Sequence, residues 1–134
     1  MIFDWEIIGR LVLATVLSSI VGFEREKLSK PAGLRTYMLV CLGSCLITTI
    51  SLSFEKDPAR IASGIITGIG FLGAGAIIAQ GTNVKGVTTA ASLWVIAAVG
   101  LSVGVGEYLL AIVTTTLIYI ILKLKKYEKT EQSG

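Results

Sequence analysis

The feature that most constrains this chain is an uncharged, apolar run over residues 61–79 that contains five glycines. In water, each glycine would weaken a helix by about 1 kcal/mol relative to alanine. In a lipid bilayer, however, a spanning backbone must satisfy its own hydrogen bonds, so it forms a helix or a closed barrel. Glycines then provide surfaces on which helices approach closely. The run predicts a transmembrane helix that packs through Gly64, Gly68, Gly70, Gly73 and Gly75.

These five glycines define two faces of the predicted helix. Gly64, Gly68 and Gly75 fall on one face, whereas Gly70 and Gly73 fall on another. The first two have the small-x-x-x-small spacing that is typical of close helix contacts in membranes. A helix with two smooth faces is expected to lie in the centre of a bundle, so the sequence predicts a central third helix.

The composition indicates a membrane protein. Of the 134 residues, 53% are hydrophobic and only 16% are charged, and the mean hydropathy is +0.78. The net charge of +3 is carried by loops and a tail that adjoin apolar runs. The bilayer, with its anionic headgroups, is therefore the expected partner, and nucleic acid is not. The chain contains no histidine, which removes the usual general base and the commonest metal ligand, so we expect neither catalysis nor a cofactor.

Five apolar runs predict an all-α, polytopic bundle of about five transmembrane helices. The second run begins after a polar loop over 24–35, which contains Pro31 and Gly33, and the fourth begins after a turn over 80–86. Residues 1–124 would form the transmembrane domain and residues 125–134 a short basic and polar tail. The predicted spans are 7–23, 36–54, 61–79, 87–103 and 108–124.

Basic residues are distributed unevenly between the two sides that five spans would create. The far side would hold only Lys56 and Arg60, with Arg10 at its edge. Because cytoplasmic loops are enriched in Lys and Arg, we expect an outside N-terminus and a cytoplasmic C-terminus. The residues predicted on the cytoplasmic side are Arg25, Lys27, Lys30, Arg35, Lys85, Lys123, Lys125, Lys126 and Lys129.

Three unusual residues lie inside predicted spans. Arg10 either marks a functional site, as intramembrane charges often do, or reaches the nearer interface and pairs with Glu6. The second interpretation is favoured, because Arg10 is close to the end of its span. Cys41 and Cys45 lie four residues apart on one helical face and are interpreted as small packing residues. The alternatives, a redox pair or a soft metal site, lack the motif spacing and further soft ligands.

Three polar segments are candidates for function. Glu24, Arg25 and Glu26, with Arg35, could pin the first loop through bidentate contacts or could bind a ligand. Asp57 is expected to cap the third helix before Pro58, with a surface cation contact as the alternative.

The third candidate segment precedes the fourth span. Thr88 and Thr89 could simply cap a helix start beside Lys85. Together with Arg35 they could instead hold a phosphate or an acidic group, because helix N-termini attract anions. A G-x-G-x-x-G match at 68–73 is not interpreted as a nucleotide site, since it lies inside an apolar helix and no acidic residue follows at the required distance.

Six motifs, in order along nearly the whole chain, resemble the membrane domain of the MgtC/SapB family. They lie at 22–26, 31–36, 39–43, 57–62, 68–76 and 86–100. The resemblance implies a bacterial inner-membrane protein with about five spans. It also implies that the MgtC branch is associated with growth at low magnesium and with bacterial survival inside host cells, and members of that branch have been linked to restraint of the F-type ATP synthase.

The MgtC branch carries a soluble cytoplasmic domain after its last span, so a sequence that ends at Gly134 is expected to be a short, SapB-like member. The motifs single out functional candidates without assigning them chemical roles. These candidates are Glu24, Arg25, Glu26, Arg35, Thr36, Asp57, Arg60, Thr88, Thr89 and Trp94.

Two functions are consistent with the sequence. The first is a non-catalytic regulator that binds another membrane protein, which the small-residue helix faces and the basic cytoplasmic side favour. The second is a transporter or channel for an ion or small solute. This alternative is suggested by Arg10 and by a weak echo between 33–36 and 86–89, since transporters often bind substrate between repeats. Homo-oligomerisation is expected in either case.

Overall fold

The computed structural model describes residues 4–54, 57–80 and 83–124, and within these ranges the chain forms five α-helices and one short β-hairpin. The all-α helix bundle that the sequence predicts is confirmed. Four of the five helices are long and apolar enough to cross a bilayer, whereas the fifth, with 16 residues, is shorter. The helices are α1 (Trp5–Lys27), α2 (Leu34–Ser51), α3 (Pro58–Ala76), α4 (Val87–Gly104) and α5 (Tyr108–Lys123). The predicted tail at 125–134 and Lys56 lie outside the described residues.

The start of α3 confirms the predicted helix cap. The Asp57 carboxylate accepts a hydrogen bond from the backbone N–H of Arg60 at 3.3 Å, and Pro58 occupies the first turn. An aspartate cap satisfies one of the N–H groups that a helix start leaves without a partner. The boundary between the second loop and the third span is therefore encoded locally, by the Asp-Pro pair.

Helix α1 extends further than the sequence predicted. The sequence predicts a loop at 24–27, but α1 continues to Lys27 and its final turn contains Arg25 and Lys27. Glu, Arg and Lys are strong helix formers, and basic side chains are favourable beside the negative end of the helix dipole. The breakers Pro31 and Gly33 act only later, so the charged cluster is part of the helix.

The third span is shorter than predicted, and the turn at 80–86 is a hairpin. Helix α3 ends at Ala76, because Ile77 adopts an extended conformation with φ −86° and ψ 125°. Strand β1 (Ile78–Gln80) then pairs with β2 (Asn83–Lys85) in antiparallel register, with Ile78 opposite Lys85. The hairpin leads directly to Gly86, which has a positive φ of 92° and immediately precedes α4.

The central helix is α4, so the predicted central position of the glycine-rich α3 is wrong. Helix α4 packs against all four other helices, whereas α3 contacts α4 and, to a smaller extent, α2. Of the apolar stretch of each helix, 50% is buried in α4 and 11% in α3. A central helix must fill space on every side, and α4 does so with large side chains that α3 lacks on its glycine faces. The buried large side chains of α4 are Leu93, Ile96, Val99 and Val103.

The glycines that bring helices together lie mostly outside α3. A Cβ atom at Gly100 would overlap the carbonyl oxygen of Cys41 on α2, and one at Gly104 would lie 2.7 Å from Cβ of Thr48. In α3, only Gly73 faces a neighbour, Ala90, at an ordinary contact distance of 3.5 Å. Four α3 glycines have no described residue within 4 Å of the position of a Cβ atom: Gly64, Gly68, Gly70 and Gly75.

Alternating helix directions place the charged side chains at two opposite ends of the bundle. We call them the Arg25 end, where α1 finishes and α4 begins, and the Arg10 end, where α1 begins and α4 finishes. Hydrogen bonds from Arg25 to Thr89 and from Arg10 to Gly104 connect the helices at the two ends. This arrangement is the one on which the positive-inside argument depended, but the orientation of the termini in a membrane stays a prediction.

Candidate functional site

A buried arginine joins α1 to the first turn of α4 at the Arg25 end. Arg25 is only 2% exposed, and its Nη2 atom donates a hydrogen bond of 2.8 Å to the hydroxyl of Thr89, which is buried as well. The Nε atom of Arg25 is buried and has no hydrogen-bond partner among the described residues. A buried guanidinium that uses only part of its donor set is costly unless another group pairs with it.

Arg25 lines a polar pocket of about 610 Å³ between the end of α1, the following loop, the hairpin and the start of α4. The α4 start lacks a side-chain cap, since its N-cap residue is Gly86. The pocket therefore contains positive side chains and an uncapped helix N-terminus, and both attract negative charge. Its polar side chains are Arg25, Ser29, Lys30, Lys85, Thr88 and Thr89.

The predicted phosphate-binding group is corrected at one position. Lys85, Thr88 and Thr89 are together as expected, but Arg35 is exposed in the first turn of α2 and does not line the pocket. Arg25 takes its place. The reason is the extra turn of α1, which carries Arg25 across to α4 instead of leaving it in a loop.

The acidic neighbours of Arg25 point elsewhere. Glu24 is half-buried, and Glu26 is exposed and lies beside Gly33. Among the described residues, neither carboxylate is within ion-pair distance of Arg25. The bidentate pinning of the first loop that the sequence suggested is therefore absent for Arg25 in this part of the chain.

The remaining candidates are dispersed over the bundle. Asp57 and Arg60 are exposed at the start of α3, and Trp94 is 49% exposed on α4. Thr36 is half-buried and lies against a different, apolar groove. The family motifs thus mark several separate features, of which the Arg25 pocket is the one that combines three candidates.

Arg10 forms the polar cluster at the opposite end. It pairs with Glu6 at 2.5 Å, as predicted, but it also donates to the Gly104 carbonyl at 2.6 Å and to the Tyr108 hydroxyl at 3.0 Å. These two contacts join α1 to the end of α4 and the start of α5. Sequence analysis missed them, because the partners are far along the chain and no local pattern connects them.

Between the two ends, buried polar groups bond to one another. The hydroxyls of Tyr37 and Ser92 lie 2.5 Å apart, and Ser44 donates to the carbonyl of Ala97 at 2.6 Å. Cys41 and Cys45 are free, fully buried members of the apolar core, which confirms their interpretation as packing residues. Direct side-chain packing therefore fills the interior of the bundle between its two ends.

An apolar groove of about 690 Å³ lies between α2 and α3. Its floor is open at Gly43, Gly64 and Gly68, where a Cβ atom would meet nothing within 4 Å. Exposed apolar side chains flank these glycines. The groove is lined by Thr36, Leu39, Val40, Gly43, Ser44, Ile47, Ile61, Gly64, Ile65, Gly68, Ile69, Leu72 and Ala97.

Within residues 4–54, 57–80 and 83–124, no group of three or more Cys, Asp or Glu side chains is arranged to hold a metal ion. The fold and the two features above define a class: a multi-pass α-helical membrane protein with a basic pocket at one end and an open apolar groove on one side. The model of the MgtC family matches residues 11–130. The chain belongs to the MgtC family, as its motifs predicted.

Curated relatives agree with this assignment. The chain is 40% identical over 129 residues to the putative magnesium transporter YhiD of Escherichia coli K12, covering 89% of this chain and 60% of the relative. It is 42% identical over 109 residues to the protein MgtC of Salmonella typhimurium, covering 81% and 47%. An uncharacterized protein of Haemophilus influenzae is 35% identical over 130 residues, covering 88% and 55%. The chain thus spans about half the length of these relatives, and no solved structure matches it.

Proposed function

We propose that this MgtC-family chain is a non-catalytic membrane protein that regulates another membrane protein by binding one of its transmembrane helices. The observation that carries the proposal is the groove between α2 and α3, where Gly64 and Gly68 leave the α3 backbone accessible. In lipid, helix association depends on close packing between small residues, because apolar surface is already solvated by lipid tails.

The shape of the groove favours a helix as its occupant. Gly43 on α2 opens toward the same space as Gly64 and Gly68 on α3, so both walls allow a close backbone approach. Bulky residues such as Leu39 and Ile61 border the glycines and can interdigitate with side chains of a partner helix. A second copy of the chain could also occupy the groove, and the predicted homo-oligomerisation stays a prediction.

A glycine substitution in the groove tests this proposal. We expect Gly68→Leu to reduce recovery of the partner from native membranes by about tenfold, since a filled floor costs at least about 1.4 kcal/mol of binding. Gly70→Leu is the matched control, because Gly70 lies on the same helix, faces open space and is not part of the groove. Quantitative affinity capture with isotope-labelled membranes would measure both. Equal recovery of every captured protein by the two variants would contradict the proposal.

The second candidate function is transport. It is favoured by one observation, the likeness to the Escherichia coli relative that is named a putative magnesium transporter. The closed middle layer, with its paired hydroxyls and fully buried cysteines, supports the regulatory proposal instead. We expect purified protein in liposomes to give no Mg²⁺ influx above empty liposomes, measured with an entrapped fluorescent indicator. Mg²⁺ influx that scales with protein content would contradict the regulatory proposal and support transport.

A further inference from the structure

The strongest unexplained feature of the molecule is the positive charge of Arg25. Arg25 is only 2% exposed, and within the described residues its guanidinium group makes one hydrogen bond, to the neutral hydroxyl of Thr89. Among the described residues, no carboxylate balances the charge. Removing an unpaired cation from water is expensive, so an arginine in this position normally has an anion beside it.

The pocket beside Arg25 has the electrostatic character that such an anion requires. Arg25, Lys30 and Lys85 line it, and the described part of its lining contains no Asp or Glu. Ser29 and Thr88 add hydroxyl groups that can donate hydrogen bonds to an anion. Arg25 and Lys85 thus place two positive charges in one pocket beside a helix start, and these like charges repel one another less when an anion lies between them.

The backbone contributes to the same space. Helix α4 is 18 residues long and its N-cap residue, Gly86, has no side chain, so the N–H groups of its first turn have no side-chain cap among the described residues. The aligned peptide dipoles give this end a partial positive charge. Glycine at this position admits the close approach of the Ala76 carbonyl oxygen at the end of α3, which a Cβ atom would overlap, and its φ of 92° is one that other residues rarely adopt. Helix starts with these properties bind phosphate groups.

We propose that the pocket formed by Arg25, Lys30, Lys85 and the start of α4 binds a phosphate group. Guanidinium groups hold phosphate oxygens through paired N–H donors, and Arg25 has a buried Nε–H that no other described group uses. The phosphate can belong to a free anion or to a lipid headgroup, since the pocket lies at one end of the membrane-spanning bundle. This site is separate from the α2–α3 groove, so the proposal does not depend on the regulatory function.

The first experiment measures phosphate binding directly. Purified protein in detergent is dialysed against radiolabelled inorganic phosphate at constant ionic strength, maintained with chloride. Arg25→Gln should lower the affinity by about tenfold or more, because it removes the charge and the paired donors. Lys85→Gln should lower it by about threefold, as expected for an exposed charge.

Lys27→Gln is the matched control for both substitutions. Lys27 carries the same charge two residues from Arg25, but it is exposed, packs over the ring of Phe23 at 4.7 Å and does not line the pocket. The affinity of the Lys27→Gln variant for phosphate should equal that of the unmodified protein. If Arg25→Gln fails to fold, as judged by gel filtration, Lys85→Gln decides, because Lys85 is exposed on the hairpin.

The second experiment identifies the source of the phosphate. Native mass spectrometry in lipid mixtures compares retention of phosphatidic acid with that of phosphatidylcholine in the same three variants. Dependence of inorganic phosphate binding on Arg25 and Lys85 supports a free anion, and the same dependence for phosphatidic acid alone supports a lipid headgroup. Binding of neither ligand, or equal binding by all variants including Lys27→Gln, would overturn the proposal.

Discussion

Replacement of Gly100 by alanine is expected to unfold this protein at a lower temperature than replacement of any glycine of α3 by alanine. The new Cβ would overlap the Cys41 carbonyl oxygen and lie 2.9 Å from Cβ of Ser44. The first obstacle is backbone, so no rotamer change can relieve it. The helices α2 and α4 must therefore separate, which also weakens the hydrogen bond of Ser44 to the Ala97 carbonyl.

Two energies of opposite sign decide the outcome. Alanine gains up to about 1 kcal/mol over glycine in helix propensity as measured in water. Overpacking of a tight core costs about 1–3 kcal/mol and more when the backbone must move. Because the obstacle is a carbonyl group of the facing helix, we expect the cost to exceed the gain and to reach several kcal/mol for Gly100→Ala.

The control for this substitution is Gly43→Ala. Gly43 lies on α2, the same helix that faces Gly100, but a Cβ there would meet nothing within 4 Å. It should leave the unfolding temperature unchanged or raise it. Fluorescence-detected gel filtration after a heating series measures both variants in detergent. If Gly100→Ala survives heating as well as Gly43→Ala, the close contact of α2 with α4 does not exist.

The sequence was sufficient for the class of fold because that information is local. Each span is a long apolar run, and bilayer thickness converts run length into a helix count. The Asp57-Pro58 cap is likewise encoded by adjacent residues, and the structure confirms it. The predicted central position of α3 was wrong, because small residues indicate close packing but do not indicate which helix is the partner.

The spacing that does join two helices was also present in the sequence. Gly100 and Gly104 are four residues apart, like Gly64 and Gly68, but Gly104 was assigned to a turn. The structure places the first pair against α2 and leaves the second pair open. Sequence alone lacked the criterion that separates them: only the first pair lies on a helix whose other faces carry large, buried side chains.

Only part of the candidate site was predicted from the sequence, for a related reason. Lys85, Thr88 and Thr89 are neighbours in sequence, so their proximity followed from the start of a helix. The arginine that joins them comes from α1, and its contact depends on where that helix ends. A helix turns by about 100° per residue, so an error of a few residues in the helix end changes which arginine faces the pocket.

Arg10 is the basis of the second large effect, since it connects three helices at one end of the bundle. Its contact with the Gly104 carbonyl satisfies one of the last carbonyl groups of α4, which have no partner within the helix. A positive charge at this position is also favourable with the helix dipole. The Arg10 side chain is 17% exposed and that of its partner Glu6 is 61% exposed. The carbonyl contact should therefore contribute more than the ion pair.

We expect a graded series of destabilisation that separates these contacts. Arg10→Ala should cost about 2–3 kcal/mol, because a hydrogen bond to a charged donor is lost and a buried carbonyl is left without a partner. Tyr108→Phe should cost about 1 kcal/mol, the typical value for one hydrogen bond. Glu6→Gln should have the smallest effect of the three, since an ion pair with an exposed carboxylate is screened by water.

Salt provides the control for this series. Raising the ionic strength to about 1 M shortens the screening length to about 3 Å, which weakens the exposed ion pair but not the partly buried carbonyl contact. The difference between Glu6→Gln and the unmodified protein should therefore vanish in high salt, whereas that of Arg10→Ala should persist. Urea titrations in mixed micelles, followed by tryptophan fluorescence, measure both differences. If salt abolished the Arg10→Ala effect as well, Arg10 would act through its charge on Glu6, and the link between α1 and the end of α4 would contribute nothing to stability.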